Sequence, residues 1–277
     1  MYKQILYEVA DPVATITMNR PDRLNAFTNL MLAEVKHALA QAESDERVVG
    51  IVLTGAGRGF CAGMDINALD QASAGSRAES EDLSHLEVHP GNPDMGDRFP
   101  AMYQHLAGLR KPVIAAVNGA AAGMGMAYAL LCDMRFVDKG AKFSTAFSQR
   151  GLVAEHAMSW ILPRLIGSSK ALDILWSARK FDGAEAMQLG IADRLCEAGE
   201  SVNEAHDYIA GLAKTACPTS LMLIKQQIYK HLDLDFAAAM EETVRLMNES
   251  LERSEFREGV RSYIERRAPK FKRVSTR

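Results

Sequence analysis

The stretch "KPVIAAVNGAAAGMGMAYALLCDMRF", from Lys111 to Phe136, carries one complete unit of the fold. It begins with a short apolar run, passes through a glycine-rich turn and continues as an apolar segment long enough for a helix. A short apolar run that ends at Asn-Gly is typical of a strand buried in a parallel sheet. Glycines in the turn let the backbone bend tightly or approach a ligand closely. We therefore expect a strand, a tight turn and a helix in succession.

A second stretch, "VVGIVLTGAGRGFCAGMDI" from Val48 to Ile66, repeats the order of apolar run and glycine-rich turn. Neither turn ends in Gly-Lys-Ser/Thr, which excludes a phosphate-binding P-loop. Two such turns after neighbouring strands can direct two backbone N–H groups at one oxygen. This arrangement stabilises an enolate or a tetrahedral oxyanion, and one donor lowers the barrier by about 3 kcal/mol. The repeat predicts an α/β protein with helices on the faces of a sheet.

The chain before these stretches predicts a β-hairpin and a helix. The segments "KQILYEVA" and "VATITMN" alternate apolar and polar residues around the turn residues Asp11 and Pro12. Thr28 is a residue type that caps helices, because its hydroxyl can accept a hydrogen bond from the first helical turn. Apolar residues follow it at helical spacing, namely Leu32, Val35, Leu39 and Ala42.

From about residue 150 onwards the pattern is mostly helical. One apolar stripe at helical spacing consists of Phe236, Met240, Val244, Met247 and Leu251. We expect a spiral α/β core over residues 1–200 and a C-terminal helical region over residues 201–277. Residues 70–100 are polar and rich in Ser and Gly, which is typical of a long mobile loop.

The composition excludes several classes of protein. A formal net charge of -3 over 277 residues gives no reason to expect a nucleic acid partner. The four cysteines form no CxxC pair and indicate buried thiols in a reducing compartment. Because no signal peptide or membrane-length apolar run is visible, we expect a cytoplasmic protein without a membrane partner. His85, Glu87 and His89 lie in the polar loop, where chance composition explains them, so no metal is expected.

The glycine-rich stretches belong to a longer series of motifs. In chain order these are "NRPDRLNA", "RGFCAGMDI", "KPVIAAVNGAAAGMGMAYALLCDMRF", "KFSTAFSQRGL", "LPRLIG", "ARKFDGAEAMQLGIADRL" and "FREGVRSYIERRAPKF". Their order and spacing resemble the crotonase (enoyl-CoA hydratase/isomerase) superfamily over nearly the whole chain. The resemblance implies a ClpP/crotonase-like spiral of ββα units with a C-terminal helical trimerisation region. It also implies an acyl-CoA or enoyl-CoA substrate, no cofactor besides the coenzyme A of that substrate, and a homotrimer or a dimer of trimers.

The resemblance also assigns site residues. It implies that the backbone N–H groups of Met64 and Met124 hold the thioester oxygen. Contacts with the rest of the acyl-CoA are expected from Arg23, Ala62, Gly63, Asp65, Ile66, Gly123, Phe147, Lys270 and Lys272. For Asp65, a local role as a turn or helix-cap acid competes with this assignment.

The two glutamates of the hydratase pattern are absent, because the matching positions are Ala127 and Phe147. Glu155 lies at the position where the dehalogenase branch of the superfamily carries a catalytic Asp, and where we expect a helix to begin. A carboxylate in this apolar run either complements the helix dipole or has a chemical task, and we predict an acid or base. The side chain of His156, one residue further along that helix, is expected to point elsewhere, to a surface or an interface.

The predicted function is that of an acyl-CoA thioester enzyme of the enoyl-CoA hydratase/isomerase type, a lyase or an isomerase. The N–H groups of Met64 and Met124 stabilise an enolate, and Glu155 moves the proton. Two alternatives stay open. Glu155 can act as the nucleophile of a hydrolase or a dehalogenase-like enzyme, or the protein can be a non-catalytic acyl-CoA-binding paralogue.

Overall fold

The computed structural model describes residues 2–74, 82–98 and 105–274. Its first element is the expected hairpin, in which β1 (Ile5–Ala10) pairs antiparallel with β2 (Val13–Met18). The alternation of apolar and polar residues turns one face of this hairpin towards the core and the other towards solvent. The hairpin prediction is confirmed.

Helix α1 (Asn29–Ser44) begins where the sequence predicts it. The Thr28 hydroxyl accepts a hydrogen bond from the Met31 N–H at 3.1 Å. This bond satisfies one of the donors that the first helical turn leaves free. The apolar side of α1, which includes Val35 and Leu39, is fully buried where the helix packs on β1 and β2.

Two sheets form the core. The first contains six strands in the order β1-β2-β3-β5-β7-β10 and is parallel from β2 onwards. Its further strands are β3 (Gly50–Gly55), β5 (Val113–Val117), β7 (Met134–Asp138) and β10 (Arg194–Cys196). The second contains, in order, β4 (Gly59–Cys61), β6 (Ala120–Ala122), β8 (Lys142–Ser144) and β9 (Phe181–Asp182). Strands β3 and β5 are buried along their whole length, as expected for strands covered on both faces.

The chain alternates between the two sheets in a repeating path. A strand of the first sheet, a short strand of the second and a helix follow one another as β3-β4-α2, β5-β6-α4 and β7-β8-α5. These helices are α2 (Ile66–Ser73), α4 (Met124–Leu131) and α5 (Met158–Ile166), and the short α3 (His105–Gly108) precedes β5. The expected spiral of ββα units is confirmed. Because β4 and β6 are parallel neighbours, with Cys61 opposite Ala121, the turns that follow them lie side by side.

The second half of the chain is mostly helical, as predicted. Its remaining helices are α6 (Ser168–Ser177), α7 (Gly183–Leu189), α8 (Ser201–Thr215), α9 (Pro218–His231), α10 (Phe236–Glu252) and α11 (Ser254–Ile264). Helix α8 packs on the first sheet, where Ala205 and Ile209 are fully buried beside Val52 and Phe136. Helix α8, the first helix of the expected C-terminal region, is therefore packed against the core.

Helix α9 is tied to the core by a buried lysine. The Lys225 ammonium donates to the carbonyl oxygens of Leu106 and Lys111 at 3.0 and 3.2 Å and pairs with Asp133 at 2.8 Å. The Tyr229 hydroxyl donates to the same carboxylate at 3.0 Å. A buried charge is stable only when it is paired and hydrogen-bonded, so this network fixes α9 against α3 and the start of β5.

The polar segment of residues 70–100 differs in part from the predicted mobile loop. The turn at Ser84–Leu86 contacts α1, with Leu86 buried, and the Gly91 N–H donates to Glu43 of α1 at 2.8 Å. A few apolar residues anchor this part of the segment in spite of its polar composition. Residues 75–81 and 99–100 of the predicted loop lie outside the described residues. In the described part of the chain, no helix is both long and apolar enough to cross a bilayer.

Candidate active site

The first glycine-rich turn follows β4 and is held by the segment before α1. The Phe27 N–H donates to the Gly63 carbonyl at 2.7 Å, and the Asp65 N–H donates to the Phe27 carbonyl at 2.9 Å. These two bonds make Phe27 and Met64 partners in an isolated parallel bridge. Phe27 uses its own N–H and carbonyl in this bridge, and its partners are Gly63 and Asp65, the residues on either side of Met64. The Met64 N–H therefore points away from Phe27 and is not used in this bridge.

The second glycine-rich turn follows β6 and ends at the start of α4. Gly123 has φ +50° and ψ -121°, a conformation that residues with a side chain rarely adopt. Its N–H donates to the Ser144 carbonyl at 2.9 Å, and its carbonyl accepts the N–H of Ala127 at 3.0 Å. Met124 is the first residue of α4, so its N–H is one of the donors for which the helix supplies no partner.

The two turns meet through their backbones. A Cβ atom on Gly63 would lie 2.9 Å from the Ala122 oxygen and 3.7 Å from the Met124 nitrogen. A Cβ atom on Gly125 would lie 2.1 Å from the Cys61 oxygen. The contacts at 2.9 and 2.1 Å are too tight for a side chain, so this approach requires glycine at both positions. The geometry can direct both N–H donors at one oxygen, which is the requirement of an oxyanion hole.

The side chain of Asp65 is engaged inside the protein and is only 10% exposed. Its carboxylate accepts hydrogen bonds from Arg20 at 2.8 Å and from the Asn67 N–H at 3.0 Å. Burial alone would raise the pKa of Asp65, but these bonds and the Arg20 charge hold the pKa below its usual range. This is the local role that the sequence offers as the alternative to a coenzyme A contact. Arg20 was missed, because its place in "NRPDRLNA" gives no sign of this partner.

Glu155 lies on the loop between β8 and α5. The loop begins beside the second turn, because a ring atom of Phe147 lies 4.0 Å from the position of a Cβ on Gly123. It then folds back, and the Leu152 N–H donates to the Phe147 carbonyl at 3.0 Å. The Glu155 side chain is 37% exposed, so solvent or a ligand can reach it. The predicted helix start at Glu155 is wrong, since α5 begins at Met158.

Two left-handed residues separate Glu155 from α5. His156 has φ +53° and Ala157 has φ +62°. A left-handed conformation costs a residue with a Cβ about 1–2 kcal/mol. The Met158 N–H donates to the Glu155 carbonyl at 3.0 Å and closes the turn. Strained residues of this kind cluster at functional sites, where the surrounding structure holds them.

The left-handed turn brings the side chains of Glu155 and His156 together. Nε2 of His156 lies 3.6 Å from a carboxylate oxygen of Glu155. The prediction that the two side chains diverge is wrong, because it assumes a helix at these residues. The imidazole also packs beside the Phe147 ring, with 6.0 Å between the centroids. Burial lowers the pKa of His156, and the nearby Glu155 charge opposes this shift.

The two positions that match the usual hydratase glutamates are apolar and buried. Ala127 is 1% exposed on α4, and Phe147 is 5% exposed at the start of the loop. Neither side chain can give or take a proton. Any proton transfer at this site therefore needs another group, and Glu155 is the carboxylate on the adjoining loop.

The basic residues that the resemblance assigns to the acyl-CoA, where phosphate is the group they would contact, lie in different parts of the chain. Arg23 is exposed in the turn that adjoins the first glycine-rich turn. Lys272 adjoins Arg273, which bonds Asp11 at 3.1 Å near the start of β3. The Lys270 N–H donates to the Glu258 carboxylate of α11 at 2.7 Å. A phosphate contact from these lysines stays a prediction.

The chain matches the protein family described as "Enoyl-CoA hydratase/isomerase" over residues 8–274. It is 34% identical to 1,2-epoxyphenylacetyl-CoA isomerase from Escherichia coli, over 98% of this chain and 99% of that protein. It is 32% identical to a Rhodobacter capsulatus protein named "Probable enoyl-CoA hydratase", over 98% of each chain. The structure matches that of an enoyl-CoA hydratase subunit from Geobacillus kaustophilus with a TM-score of 0.83 at 29% identity, over 98% of each chain. The chain therefore belongs to the enoyl-CoA hydratase/isomerase family of the crotonase superfamily, whose members act on acyl-CoA substrates.

Proposed function

We propose that this protein is an acyl-CoA enzyme of the enoyl-CoA hydratase/isomerase type in which Glu155 is the acid and base. The observation that carries the proposal is the backbone contact between the turns that present the N–H groups of Met64 and Met124. Membership of the family supports a thioester substrate. The similarity to 1,2-epoxyphenylacetyl-CoA isomerase, whose name specifies an epoxide, supports isomerisation of an acyl-CoA as the class of reaction, and we infer that the group moved here is a double bond.

The two N–H groups receive the thioester carbonyl oxygen. When a proton leaves the carbon chain, negative charge moves onto this oxygen, and both hydrogen bonds strengthen. A donor of this kind is worth about 3 kcal/mol of barrier in a site from which water is excluded. The buried surroundings of Met124 and Phe147 support such exclusion. The turns thus favour the enolate over the starting thioester.

Glu155 completes a balanced isomerisation. Its carboxylate takes a proton from a carbon conjugated with the thioester, and the C–H electron pair moves through the conjugated system onto the carbonyl oxygen. The protonated Glu155 then gives the proton to a different carbon, and the carbonyl reforms. One carboxylate suffices, because the same group takes and returns the proton. The apolar side chains at Ala127 and Phe147 support a mechanism with a single acid and base.

Coenzyme A would lie along the first glycine-rich turn. We infer backbone contacts from Ala62 and Gly63, and an apolar surface for the adenine from Ile66, which is 71% exposed at the start of α2. Arg23 is exposed beside this turn and can meet a phosphate as a charged donor. Asp65 would act indirectly, because its carboxylate fixes the turn through Arg20.

The protein would assemble as a homotrimer or a dimer of trimers through its last helices. Helix α10 exposes the apolar stripe Phe236, Met240, Val244, Met247 and Leu251, with exposed fractions from 43% to 82%. An apolar strip of this length on the surface indicates a protein interface. The stripe continues on α11, where Val260 and Ile264 are also exposed.

A thioester-binding protein without turnover is the second candidate. It is favoured by the apolar side chains at Ala127 and Phe147, which remove the usual proton-transfer groups from an otherwise complete binding site. The two candidates differ in one property, since a binding protein forms no enolate. Proton exchange therefore separates them.

The experiment is deuterium incorporation into a panel of acyl-CoA and enoyl-CoA thioesters in heavy water, followed by mass spectrometry. We expect the wild-type protein to exchange a carbon-bound proton of at least one thioester, and Glu155→Gln to reduce the rate at least about 100-fold. The matched control is Glu46→Gln, an exposed glutamate in the connection before β3, which should exchange like the wild type. Calorimetric titration of the same thioester checks that all three proteins bind it.

Binding without exchange in the wild-type protein would contradict the proposal and favour the binding protein. A Glu155-linked acyl intermediate in the same spectra, with release of free coenzyme A, would instead indicate a hydrolase in which Glu155 is the nucleophile. Exchange that survives Glu155→Gln would assign the proton transfer to another group.

A further inference from the structure

The contact between Glu155 and His156 is shaped by the backbone. Adjacent side chains in a helix or a strand point apart, whereas here the left-handed conformation at His156 leaves 3.6 Å between Nε2 and the carboxylate. The next residue, Ala157, is also left-handed. Neither position carries the glycine that such a conformation favours. Tertiary packing therefore holds the two side chains together against a local preference.

The imidazole lies in the site and not beyond it. Its ring packs beside Phe147, and the Phe147 ring in turn approaches Gly123, the residue before the donor Met124. The His156 side chain is 21% exposed, less than that of Glu155. The imidazole is thus the more buried of the two side chains, and it packs on a ring that adjoins the second turn.

We propose that His156 is the positioning residue of Glu155, and that its neutral imidazole donates a hydrogen bond from Nε2 to the carboxylate that moves the proton. This inference rests on the proposed function of Glu155. The distance of 3.6 Å is long for a hydrogen bond, and a small rotation of either side chain closes it. Catalytic hydrogen bonds are often long before the substrate binds.

The role follows from the chemistry of a single carboxylate. Glu155 must be ionised to take the proton and must then release it to another carbon, so its basicity and its direction both matter. A neutral donor fixes the carboxylate without a positive charge that would weaken it as a base. The Phe147 ring, which packs beside His156, cannot provide such a donor.

Burial favours this neutral form of His156. It lowers the pKa of the imidazole, while the Glu155 charge acts in the opposite direction. Among the described residues, the Glu155 charge acts on the imidazole, and the Phe147 ring packs beside it. When the pH falls far enough to protonate His156, Glu155 becomes a weaker base, and exchange should slow.

The test compares His156→Gln with His156→Leu, each alone and combined with Glu155→Gln. The Gln amide nitrogen can take the place of Nε2, whereas Leu has similar bulk and no donor. Neither Gln nor Leu is glycine or branched at Cβ, so the two substitutions place matched backbone strain at the same left-handed position. The readouts are the rate of proton exchange against pH and the Kd of the thioester.

We expect His156→Leu to slow exchange on the order of tenfold with an unchanged Kd, and His156→Gln to recover most of the rate. In the Glu155→Gln background, neither substitution should slow exchange further, because His156 acts through Glu155. Protonation of His156 should slow exchange at low pH in the wild type. This part of the pH dependence should be absent in His156→Gln, because the amide does not titrate.

A second readout does not depend on turnover. Histidine titration by NMR should show a lower pKa for His156 in Glu155→Gln than in the wild type, because the carboxylate charge is gone. A His156 pKa that does not move would overturn the contact and the inference with it.

Failure of the two proposals is distinguishable. Exchange in the wild type that is lost in Glu155→Gln but intact in His156→Leu would overturn only the role of His156. A wild-type protein that exchanges no thioester would overturn the function of Glu155, and the role of His156 would fall with it.

Discussion

Gly63 and Met124 are in backbone contact, since a Cβ atom on Gly63 would lie 3.7 Å from the Met124 nitrogen and 2.9 Å from the Ala122 oxygen. The two residues belong to consecutive ββα units, one after β4 and one after β6. The candidate site therefore depends on the stacking of units in the spiral, and on glycines such as Gly63 that have no side chain.

Gly63→Ala should disable this arrangement. Alanine does not readily hold φ +102°, and its methyl group would collide with the Ala122 carbonyl. The turn must shift, which moves the Met64 N–H away from its target. Because one oxyanion donor is worth about 100-fold or more, we expect the exchange rate to fall by at least that factor. The measurement is deuterium incorporation at saturating thioester.

Gly199→Ala is the control for backbone strain. Gly199 also has a positive φ, +85°, but a Cβ there would meet nothing within 4 Å. It lies in the connection between β10 and α8, away from both glycine-rich turns. We expect a modest loss of stability and a wild-type exchange rate. Equal losses of exchange in the two variants would contradict the assignment.

The bond between Arg20 and Asp65 fixes the first turn, and its loss should reduce stability. Asp65→Asn keeps an acceptor for the Asn67 N–H but removes the charge that faces Arg20 at 2.8 Å. A buried, charge-assisted bond of this kind contributes about 1–3 kcal/mol. We expect the free energy of unfolding at pH 7 to fall by that amount, as measured by urea denaturation.

The difference in unfolding free energy between the wild type and Asp65→Asn should depend on pH. The folded-state pKa of Asp65 lies below its unfolded value, which is about 3.9. Its contribution is therefore complete above the unfolded pKa and is lost as the pH falls through the folded pKa. We expect the difference in unfolding free energy to be constant from pH 7 to about pH 5 and to shrink below about pH 4. A difference that is undiminished at pH 3 would contradict the ion pair as its source.

The elements predicted from sequence are those that short-range signals specify. The hairpin around Asp11 and Pro12 follows from alternation, and the start of α1 follows from the cap at Thr28. The turn before Met124 follows from glycine after an apolar run. In each case the residues whose sequence pattern predicts the element also form its backbone or capping hydrogen bonds.

The remaining features depend on partners that are distant in sequence or on tertiary packing. Nothing near Arg20 shows that its partner is Asp65, on a different turn. The left-handed turn at His156 and Ala157 contains no glycine, so the sequence favours a helix there. That single difference changed the prediction for His156 from a side chain that points elsewhere to one that meets Glu155.

The exposed stripe of α10 predicts self-association. Met247 is 51% exposed near the middle of the stripe, and Met247→Glu would place a charge in any interface that covers it. An unpaired buried charge costs several kcal/mol, so the assembly should dissociate. Analytical ultracentrifugation should show the wild type as a multiple of 30.4 kDa and Met247→Glu at or near the monomer mass.

Glu241→Gln is the control for that change. Glu241 is exposed on α10 but lies outside the stripe, so its substitution should leave the assembly intact. A wild-type protein that sediments as a monomer would contradict the proposed assembly. An assembly that survives Met247→Glu would place the interface on another surface.

Ala157→Gly should make the protein more stable, although it removes a methyl group. Ala157 has φ +62°, and relief of that conformation gains about 1–2 kcal/mol, while the greater freedom of glycine in the unfolded chain opposes it by roughly 0.5–1 kcal/mol. We expect a net increase in the unfolding free energy of about 0.5–1 kcal/mol. Ala210→Gly, inside α8, should instead lose about 1 kcal/mol, because a helical alanine has no strain to relieve. Urea denaturation should show a higher free energy of unfolding for Ala157→Gly and a lower one for Ala210→Gly. A lower value for both variants would mean that the left-handed turn at Ala157 is not strained in solution.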